Sequence, residues 1–230
     1  MYEKHICLMQ PHFFPAFSYF ELISRSDKFI FLTKVQLSRQ SYQTRNRIIA
    51  NGNTQWVNCS VVRPAQFESK LICDAKFPNL MWKEKLSRTL KFNYARSEYK
   101  KCVYEIIDFL DDWHELNLCD FNIALIKFIV DKLGISREIL LDSQLDLPED
   151  RSLRIIELMR KNKNFTYLYT PGSEEYMVDD NLFSRGFKSA MFEYIPLNFE
   201  NETTRLSFIE LVANFGWSNF KLLLEARNGF

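Results

Sequence analysis

Residues 4–33 read KHICLMQPHFFPAFSYFELISRSDKFIFLT, and this stretch decides the fold. KHICLM (4–9) and KFIFLT (28–33) are short apolar runs with polar flanks, a pattern typical of buried strands. The residues between them place aromatic and aliphatic side chains at helical spacing. The stretch therefore predicts a β-α-β unit, with the two prolines of QPHFFP (10–15) in the turn that leaves the first strand.

Strand-like and helix-like segments continue to alternate along the rest of the chain. The predicted segments are a hairpin over 46–62 around Asn51-Gly52-Asn53, helices over 78–92, 97–112 and 118–133, a strand over 138–143, a helix over 151–162, strands over 165–170 and 191–197, and two short helices separated by Gly216 and packed on the sheet. This alternation indicates a parallel sheet. The predicted fold class is α/β: a mostly parallel, Rossmann-like sheet with helices on both faces, a β-hairpin insertion and C-terminal helices.

Composition indicates one folded domain with no role in nucleic-acid binding. The 230 residues are 47% hydrophobic, enough to form one sizeable core, and no repeat, low-complexity tract or linker interrupts them. Residues 1–230 are therefore predicted to form a single domain. The formal net charge of +1 argues against nonspecific binding of nucleic acid.

The sequence also favours a cytoplasmic protein without integral membrane association. No stretch reaches the roughly 18 uninterrupted apolar residues of a membrane span, and the first residues do not form a secretory signal. The five cysteines form no CxxC pair, which argues against a disulfide framework and a zinc site. With no HExxH, Walker A or GxGxxG pattern, the sequence predicts no metal site and specifies no cofactor.

The turn after the first strand is the first candidate site. In open parallel sheets, ligands bind beyond the carboxyl ends of the strands, where residues 10–15 are expected to lie. We call this segment the proline corner; its candidate site residues are Gln10, Pro11, His12, Phe14 and Pro15. The prolines fix the path of the loop, and the side chains of Gln10 and His12 offer hydrogen-bonding groups. The alternative is that the aromatic rings belong to the core and His12 to the surface.

A polar segment just before the hairpin is the second candidate. SYQTRNRI (41–48) contains Gln43, Arg45, Asn46 and Arg47. Alternate residues of an extended chain share one face, so the two guanidinium groups are predicted to lie side by side, an arrangement that suits a diphosphate. The alternative is a solvated, charged strand edge that prevents sheet pairing.

The third candidate is YTPGSEEYM (169–177), where a predicted strand runs into a proline and a glycine and then a helix start. Backbone N–H groups at such a helix start bind anions, and Ser173 is a suitable capping residue. Gly172, Ser173 and Tyr176 are therefore candidate binding residues. The alternative is an ordinary turn with no ligand.

Several of these motifs resemble those of a known family. QPHFFPAFSYFELI, SDKFIFLTKVQLS, SYQTRNRI, the Asn-Gly turn and QWVN are similar to the opening of the WbqC-like protein family, and looser similarity extends through YLYTPGSEEYM and LFSRGF. The resemblance spans nearly the whole chain. The chain departs from the family pattern at Ser18, where glycine is common, and at Thr33-Lys34, where an acidic residue is common.

The resemblance implies an enzyme of bacterial surface-polysaccharide (O-antigen) biosynthesis, since the family is tied to gene clusters for these polymers. The reaction it suggests is transfer of an acyl or aminoacyl group to a nucleotide-linked amino sugar, which makes that sugar and an acyl donor the expected partners. Under this hypothesis Arg45 and Arg47 hold the diphosphate and Phe14 and Tyr19 wall the pocket. His12, as a base of near-neutral pKa, or Gln10 deprotonates or orients the nucleophile.

Two other functions remain open at this stage. One is nucleotidyl or adenylyl transfer to a sugar or acyl substrate, by analogy with Rossmann-type folds that also place a loop after the first strand. The other is a noncatalytic module that docks partners in a polysaccharide assembly complex.

Overall fold

Strands and helices alternate along the chain in the computed structural model, which describes residues 3–38, 40–62, 69–194 and 205–228. The strands are β1 (Lys4–Met9), β2 (Lys28–Phe31), β3 (Arg45–Ala50), β4 (Asn53–Asn58), β5 (Glu138–Leu141), β6 (Phe165–Tyr169) and β7 (Ser189–Met191). The helices are α1 (Phe17–Arg25), α2 (Met81–Asn93), α3 (Lys100–Asp112), α4 (Leu118–Leu133), α5 (Arg151–Lys161), α6 (Pro171–Asp179) and α7 (Ile209–Asn228).

Five strands form one parallel sheet in the order β5-β2-β1-β6-β7. All four neighbouring pairs are parallel, with β1 between β2 and β6. Counted along the chain, the strands of the sheet are ordered third, second, first, fourth, fifth, so the direction of winding reverses between β1 and β6. In doubly wound sheets this reversal opens a crevice at the carboxyl ends of the two central strands. The predicted α/β class is confirmed.

Helices cover both faces of the sheet, as predicted. Ile6 and its neighbour Cys7 pack into two different hydrophobic clusters, because successive side chains of a strand point to opposite faces. Ile6 contacts the cluster that contains Ile155 of α5 and Met177 of α6. Cys7 joins the larger cluster, to which α1, α4 and α7 contribute. The two crossover helices that flank β6 in the chain therefore cover one face and the other helices cover the opposite face.

The hairpin is separate from the five-stranded sheet. β3 and β4 pair in antiparallel register and form a sheet of their own. Asn51 and Gly52 in the turn both have positive φ, 52° and 72°, the combination that a two-residue type I′ turn requires. The predicted insertion is confirmed. β3 lies beside the segment that leads into α7, where the backbone N–H of Ser207 donates to the Arg47 carbonyl at 2.8 Å.

Two expectations differ from the structure in detail. The last strand comes earlier than predicted, at Ser189–Met191, because the backbone of this segment pairs with β6 through Tyr167, Leu168 and Tyr169; residues 195–197 of the predicted strand lie outside the described residues. The C-terminal helices contact α1, α3 and α4 more than they contact the sheet. The chain breaks between them at Gly216, as predicted, with φ 70° and ψ 176°. In the described ranges, none of the helices combines the length and apolar character needed to cross a bilayer.

Candidate functional site

A cavity of about 810 Å³ opens where the strand order reverses. Its lining comes from the ends of β1 and β2, the proline corner, the segments that follow β5 and β6, and the chain before α7. It thus lies where doubly wound folds bind their ligands. The sequence-predicted residues that line it are Gln10, His12, Tyr19, Asn46, Gly172, Ser173 and Tyr176.

Hydrogen bonds from surrounding elements fix the start of the proline corner. The Tyr19 hydroxyl of α1 donates to the Gln10 carbonyl at 2.9 Å. Buried Gln43 donates from Nε2 to Oε1 of Gln10 at 2.5 Å and accepts from the backbone of Ser38 at 3.1 Å. In this orientation of the Gln10 amide, its Nε2 has no acceptor among the described residues and is available to a ligand. Gln43 is therefore a positioning residue behind the cavity, since it does not line the cavity itself.

Asn122 of α4 holds the centre of the proline corner. Its side chain is 0% exposed, and its Nδ2 donates to the Pro11 carbonyl at 3.1 Å and to the Gln43 carbonyl at 2.9 Å. Both donors of the amide are therefore used to join the corner to the segment before the hairpin. Its Oδ1 has no hydrogen-bond partner among the described residues.

The end of the corner has an unusual backbone conformation. Phe14 has φ 46°, in the left-handed region that costs a bulky residue of order 1–3 kcal/mol. The ring of Phe14 is completely buried and stacks on Phe208 at 5.7 Å, so it belongs to the core. Asn46 donates to the Phe14 carbonyl at 2.6 Å, and the N–H of Phe208 donates to the Pro15 carbonyl at 2.7 Å. These contacts keep the strained turn in place.

His12 is the titratable side chain at the mouth of this corner. Its ring lies 5.0 Å from Tyr19 and 5.8 Å from Tyr42, centroid to centroid. Removal from water, and secondarily the positive charge of Arg205, lowers the pKa of His12 from 6.5 to about 4. The near-neutral pKa expected from the sequence is therefore wrong for the unliganded protein, and the imidazole is neutral at physiological pH.

The His12 pKa makes folding stability depend on pH. The folded state binds the proton more weakly than the unfolded state, so stability is lost as pH falls from the ordinary value of 6.5 towards 4. From about pH 7.5 to about pH 4.5, this group is expected to remove about 2 kcal/mol from the free energy of unfolding. Urea unfolding at both pH values checks this, because a His12→Gln variant loses that part of the pH dependence. Equal pH dependence in the two proteins would contradict it.

Positive charge predominates in the cavity. Four basic side chains line it, from Lys34, Arg151, Arg154 and Arg205, whereas Glu149 supplies the carboxylate among the described lining residues. Carboxylates and phosphates are the groups that arginine side chains grip best. The cavity is therefore suited to an anionic ligand.

Arg154 is the most deeply buried of these charges. It is 4% exposed, and its Nε and Nη2 donate to the carbonyls of Pro148 and Glu149 at 3.0 and 2.6 Å. No ion pair joins it to a carboxylate within the part of the chain that the structure describes. A buried guanidinium without a counter-charge lowers the stability of the folded state. An anionic ligand in the cavity would reduce this free-energy cost.

The start of α6 completes the cavity next to Arg151. Pro171 occupies the first position of α6, so the Gly172 N–H lies at the N-terminus of the helix. The helix dipole places partial positive charge at this end. Gly172 has open space around its Cα, and the hydroxyls of Thr170 and Ser173 lie 3.3 Å apart. The guanidinium of Arg151 lies 4.1 Å from the Tyr176 ring.

The remaining predicted residues lie behind the cavity or beside it. Arg45 and Arg47 do share one face of β3, as the alternation predicts, but both guanidinium groups stack on Trp56, at 4.1 and 5.2 Å from its ring centroid. Neither lines the cavity. Pro11, Phe14 and Pro15 act through backbone carbonyls or the core, as described above.

Sequence reasoning missed Arg151, Arg154, Arg205 and Asn122. A signal existed for the first two, because the N-terminus of a crossover helix lies at the same sheet edge as the carboxyl ends of parallel strands, and both arginines fall in the first turns of α5. Arg205 and Asn122 reach the corner from segments far away in the chain, and no local pattern indicates this. Among the described residues, His, Cys, Asp and Glu side chains form no group that could hold a metal ion.

These features define a doubly wound α/β protein with a cationic cavity at the reversal of strand order. The WbqC-like protein family matches residues 10–221, and the chain belongs to this family. A relative from Mycobacterium tuberculosis (strain ATCC 25618 / H37Rv), the uncharacterized protein Rv1507c, is 26% identical over 197 residues, which cover 83% of each chain. No solved structure matches the chain.

The structure also gives an account of the departure at Thr33-Lys34. Asp142, which follows β5, is buried and accepts from the backbone N–H groups of Thr33 and Lys34 at 2.9 and 3.0 Å and from the Thr33 hydroxyl at 2.5 Å. A carboxylate is thus present at the end of β2, supplied by the neighbouring strand. Because its oxygens are occupied and buried, its role here is to fix the carboxyl end of β2.

Proposed function

We propose that this chain is a cytoplasmic enzyme of bacterial surface-polysaccharide (O-antigen) biosynthesis that transfers an acyl or aminoacyl group to the amine of a nucleotide-linked amino sugar. The observation that supports this most is the cationic lining of the cavity, to which Arg151, Arg154, Arg205 and Lys34 contribute. Among the described lining residues, Glu149 is the acidic one. A nucleotide-linked sugar carries a diphosphate, which planar guanidinium groups bind in a bidentate way.

The cavity also offers surfaces for the uncharged parts of such a ligand. Its lining includes the tyrosines Tyr19, Tyr42, Tyr167, Tyr176 and Tyr194. Aromatic rings pack on nucleobases and on the apolar faces of sugars, and tyrosine hydroxyls bond the polar edges. Its volume of about 810 Å³ falls in the range of small-molecule sites.

His12 is the proposed base, and ligand binding is expected to change its pKa. The unliganded pKa of about 4 makes the ring a weak base. A diphosphate beside Arg205 opposes the positive charge that is the secondary cause of this low pKa, so binding shifts the pKa of His12 upward. The neutral imidazole then accepts a proton from the attacking amine, while the amide nitrogen of Gln10 orients the substrate.

The diphosphate role of Arg205 is testable by binding. Thermal melting with uridine- and thymidine-linked amino sugars is expected to show a shift to higher temperature, since a ligand of the folded state stabilises it. Arg205→Gln is expected to weaken binding by about tenfold or more, because hydrogen bonds to charged groups contribute roughly 1.5–3 kcal/mol.

Arg88→Gln is the control for this variant, since Arg88 is an exposed arginine of α2 that does not line the cavity. Arg45→Ala and Arg47→Ala extend the comparison to the two arginines that stack on Trp56. The proposal predicts near-normal affinity for all three. An Arg205→Gln protein that binds the sugar nucleotide as well as these controls would contradict the assignment of Arg205.

Nucleotidyl or adenylyl transfer is the second candidate, and the sheet favours it. The third-second-first-fourth-fifth strand order, with a loop after β1 and a helix start after β6, provides the crevice in which such folds bind nucleotides. The lining of the cavity argues against it. A magnesium-bound triphosphate is usually held through carboxylates, and Glu149 is the one acidic residue among the described lining residues. A melting shift with ATP and magnesium, and none with amino-sugar nucleotides, would favour this candidate.

A further inference from the structure

We propose that the cavity binds two anionic ligands at once, one at each end, and that the group passes directly between them without a protein-bound intermediate. The second part rests on the proposed transfer function; the first part does not. The corner end is defined by His12, Tyr42, Tyr194 and Arg205. The helix end is defined by Arg151, Arg154, Gly172 and Tyr176.

The corner end is assembled from segments far apart in the chain, with His12 and Tyr42 from the first part and Tyr194 and Arg205 from the last. Arg205 is placed there because the segment that it begins is hydrogen-bonded to the corner, with the N–H of Phe208 on the Pro15 carbonyl at 2.7 Å. Its guanidinium lies 4.6 Å from the centroid of the Tyr194 ring, and its positive charge helps to lower the pKa of His12. A cation on a tyrosine ring beside a neutral imidazole suits the phosphate and sugar of a nucleotide-linked sugar.

The helix end has its own charge and its own donors. Arg154 is 4% exposed, lines the cavity and has only carbonyl partners among the described residues. Arg151, three residues earlier on α5, adds a second guanidinium, which is exposed and pairs through Nη2 with Asp180 at 3.0 Å. Arg154 is therefore the buried cation of this end. Gly172 at the start of α6, whose N–H has no acceptor among the described residues, also lines the cavity. A buried cation without a carboxylate indicates that this end takes an anion of its own.

The two ends lie over opposite faces of the sheet. Tyr176 of the helix end packs with Tyr167 and Ile155 in the cluster on the α5–α6 face. Tyr19 and Tyr194 beside the corner end pack with the cluster on the α1–α4 face. Leu8 and Met9, at the end of β1, line the cavity between them. The two groups of arginines are thus attached to different faces of the sheet, and we assign one anion to each, with the two ligands meeting above the end of β1.

Direct transfer follows from the absence of an activated nucleophile in the described lining. None of the described cysteines lines the cavity, and burial raises the pKa of Cys7 and Cys59 and raises that of Cys119 to about 12. The Ser173 hydroxyl pairs with Thr170. Within the described ranges no hydrogen bond joins the imidazole of His12 to a hydroxyl or thiol, since it is the backbone of His12 that bonds the Tyr19 hydroxyl. Activation of a serine or cysteine nucleophile by an adjacent histidine requires such a hydrogen bond.

The donor in this transfer is an acyl phosphate or an acyl nucleotide. The amine nitrogen of the sugar at the corner end forms a bond to the acyl carbon, and the bond from that carbon to the phosphate oxygen breaks. The phosphate leaves with the electron pair and is held by Arg151 and Arg154. The proton released from nitrogen passes to the imidazole of His12, and no redox change occurs.

Equilibrium dialysis of the full chain with inorganic pyrophosphate tests the two-ended site. Two bound equivalents are expected. Arg205→Gln is expected to weaken one of them, and Arg151→Gln the other, by about tenfold or more. Arg160→Gln, a charge change on the outer face of α5, and Arg88→Gln on α2 are expected to leave both unchanged. One bound equivalent or none, or a loss of both equivalents in either cavity variant, would overturn the proposal.

The kinetics separate this inference from the proposed function. With donor and acceptor varied together, direct transfer predicts intersecting double-reciprocal lines and an unmodified protein mass after incubation with the donor alone. Parallel lines with an acylated protein would refute direct transfer and leave the proposed function intact. Two pyrophosphate sites in a protein that transfers no acyl group would refute the function and leave the two-ended site intact.

Discussion

Replacing Asn122 by alanine is expected to lower the free energy of unfolding by about 3 kcal/mol and to weaken ligand binding at the same time. The variant leaves the buried carbonyls of Pro11 and Gln43 without their donor. An unsatisfied buried acceptor costs about 1–3 kcal/mol, so two of them account for this loss. Affinity falls because the same amide joins the proline corner to the segment before the hairpin. Urea unfolding and thermal melting with a sugar nucleotide measure the two effects.

Asn219→Ala is the matched control. Asn219 makes the same kind of bond, from Nδ2 to the Phe215 carbonyl at 3.0 Å, but on the exposed side of α7. Its replacement is expected to change stability by less than about 0.5 kcal/mol. A similar small loss in Asn122→Ala would mean that the amide does not hold the corner.

Replacing Gly216 by alanine is expected to have the largest effect on stability, about 4 kcal/mol. With φ 70° and ψ 176°, the residue lies in a region that is essentially restricted to glycine and costs other residues 1–3 kcal/mol. An added Cβ would also come within 2.5 Å of Cδ1 of Tyr99. Relieving that clash requires a shift of α7 against α3, at a further cost of about 1–3 kcal/mol. Urea unfolding measures the sum.

Two variants separate the two causes. Gly186→Ala has a positive φ of 82° but open space around the new Cβ, so it is expected to lose only about 1 kcal/mol. Combining Gly216→Ala with Tyr99→Ala removes the clash, so the double variant is expected to lose less than the sum of the two single changes. If Gly216→Ala were as mild as Gly186→Ala, the close packing of α7 on Tyr99 would be wrong.

Local patterns in the sequence were sufficient to predict most of the sheet. The apolar runs at 4–9 and 28–33 and the Asn51-Gly52 turn act over a few residues, and each forms the predicted element. The final strand was misplaced because Ser189–Met191 is defined by pairing with β6 and has little strand character of its own. A three-residue edge strand depends on its neighbour, so its position is not encoded locally.

The site was predictable only in part, for the same reason. His12, Gln10 and Gly172 were found because strand ends and helix starts mark the ligand edge of a parallel sheet. Arg45 and Arg47 satisfied the chemical pattern for a diphosphate, but their guanidinium groups stack on Trp56, which pairs with Arg47 across the hairpin. That pairing uses the cation–π attraction of an exposed aromatic ring, and a sequence pattern does not distinguish it from a ligand contact.

The depressed pKa of His12 also depends on distant contacts. Tyr19 and Tyr42 enclose the ring, and Arg205 approaches it from the other end of the chain. The local sequence shows only a histidine between proline and phenylalanine. Its chemistry is therefore a product of the fold, and the proposed rise of its pKa on diphosphate binding follows from the same contacts.

The most direct test of the account is a crystal structure of the protein with a uridine diphosphate-linked amino sugar. The account predicts electron density for the nucleotide in the cavity between residues 10–15 and the start of α6, with a phosphate oxygen on Arg205 and the amine of the sugar facing His12. Density on the Trp56 surface of the hairpin, with the cavity filled by water alone, would contradict it.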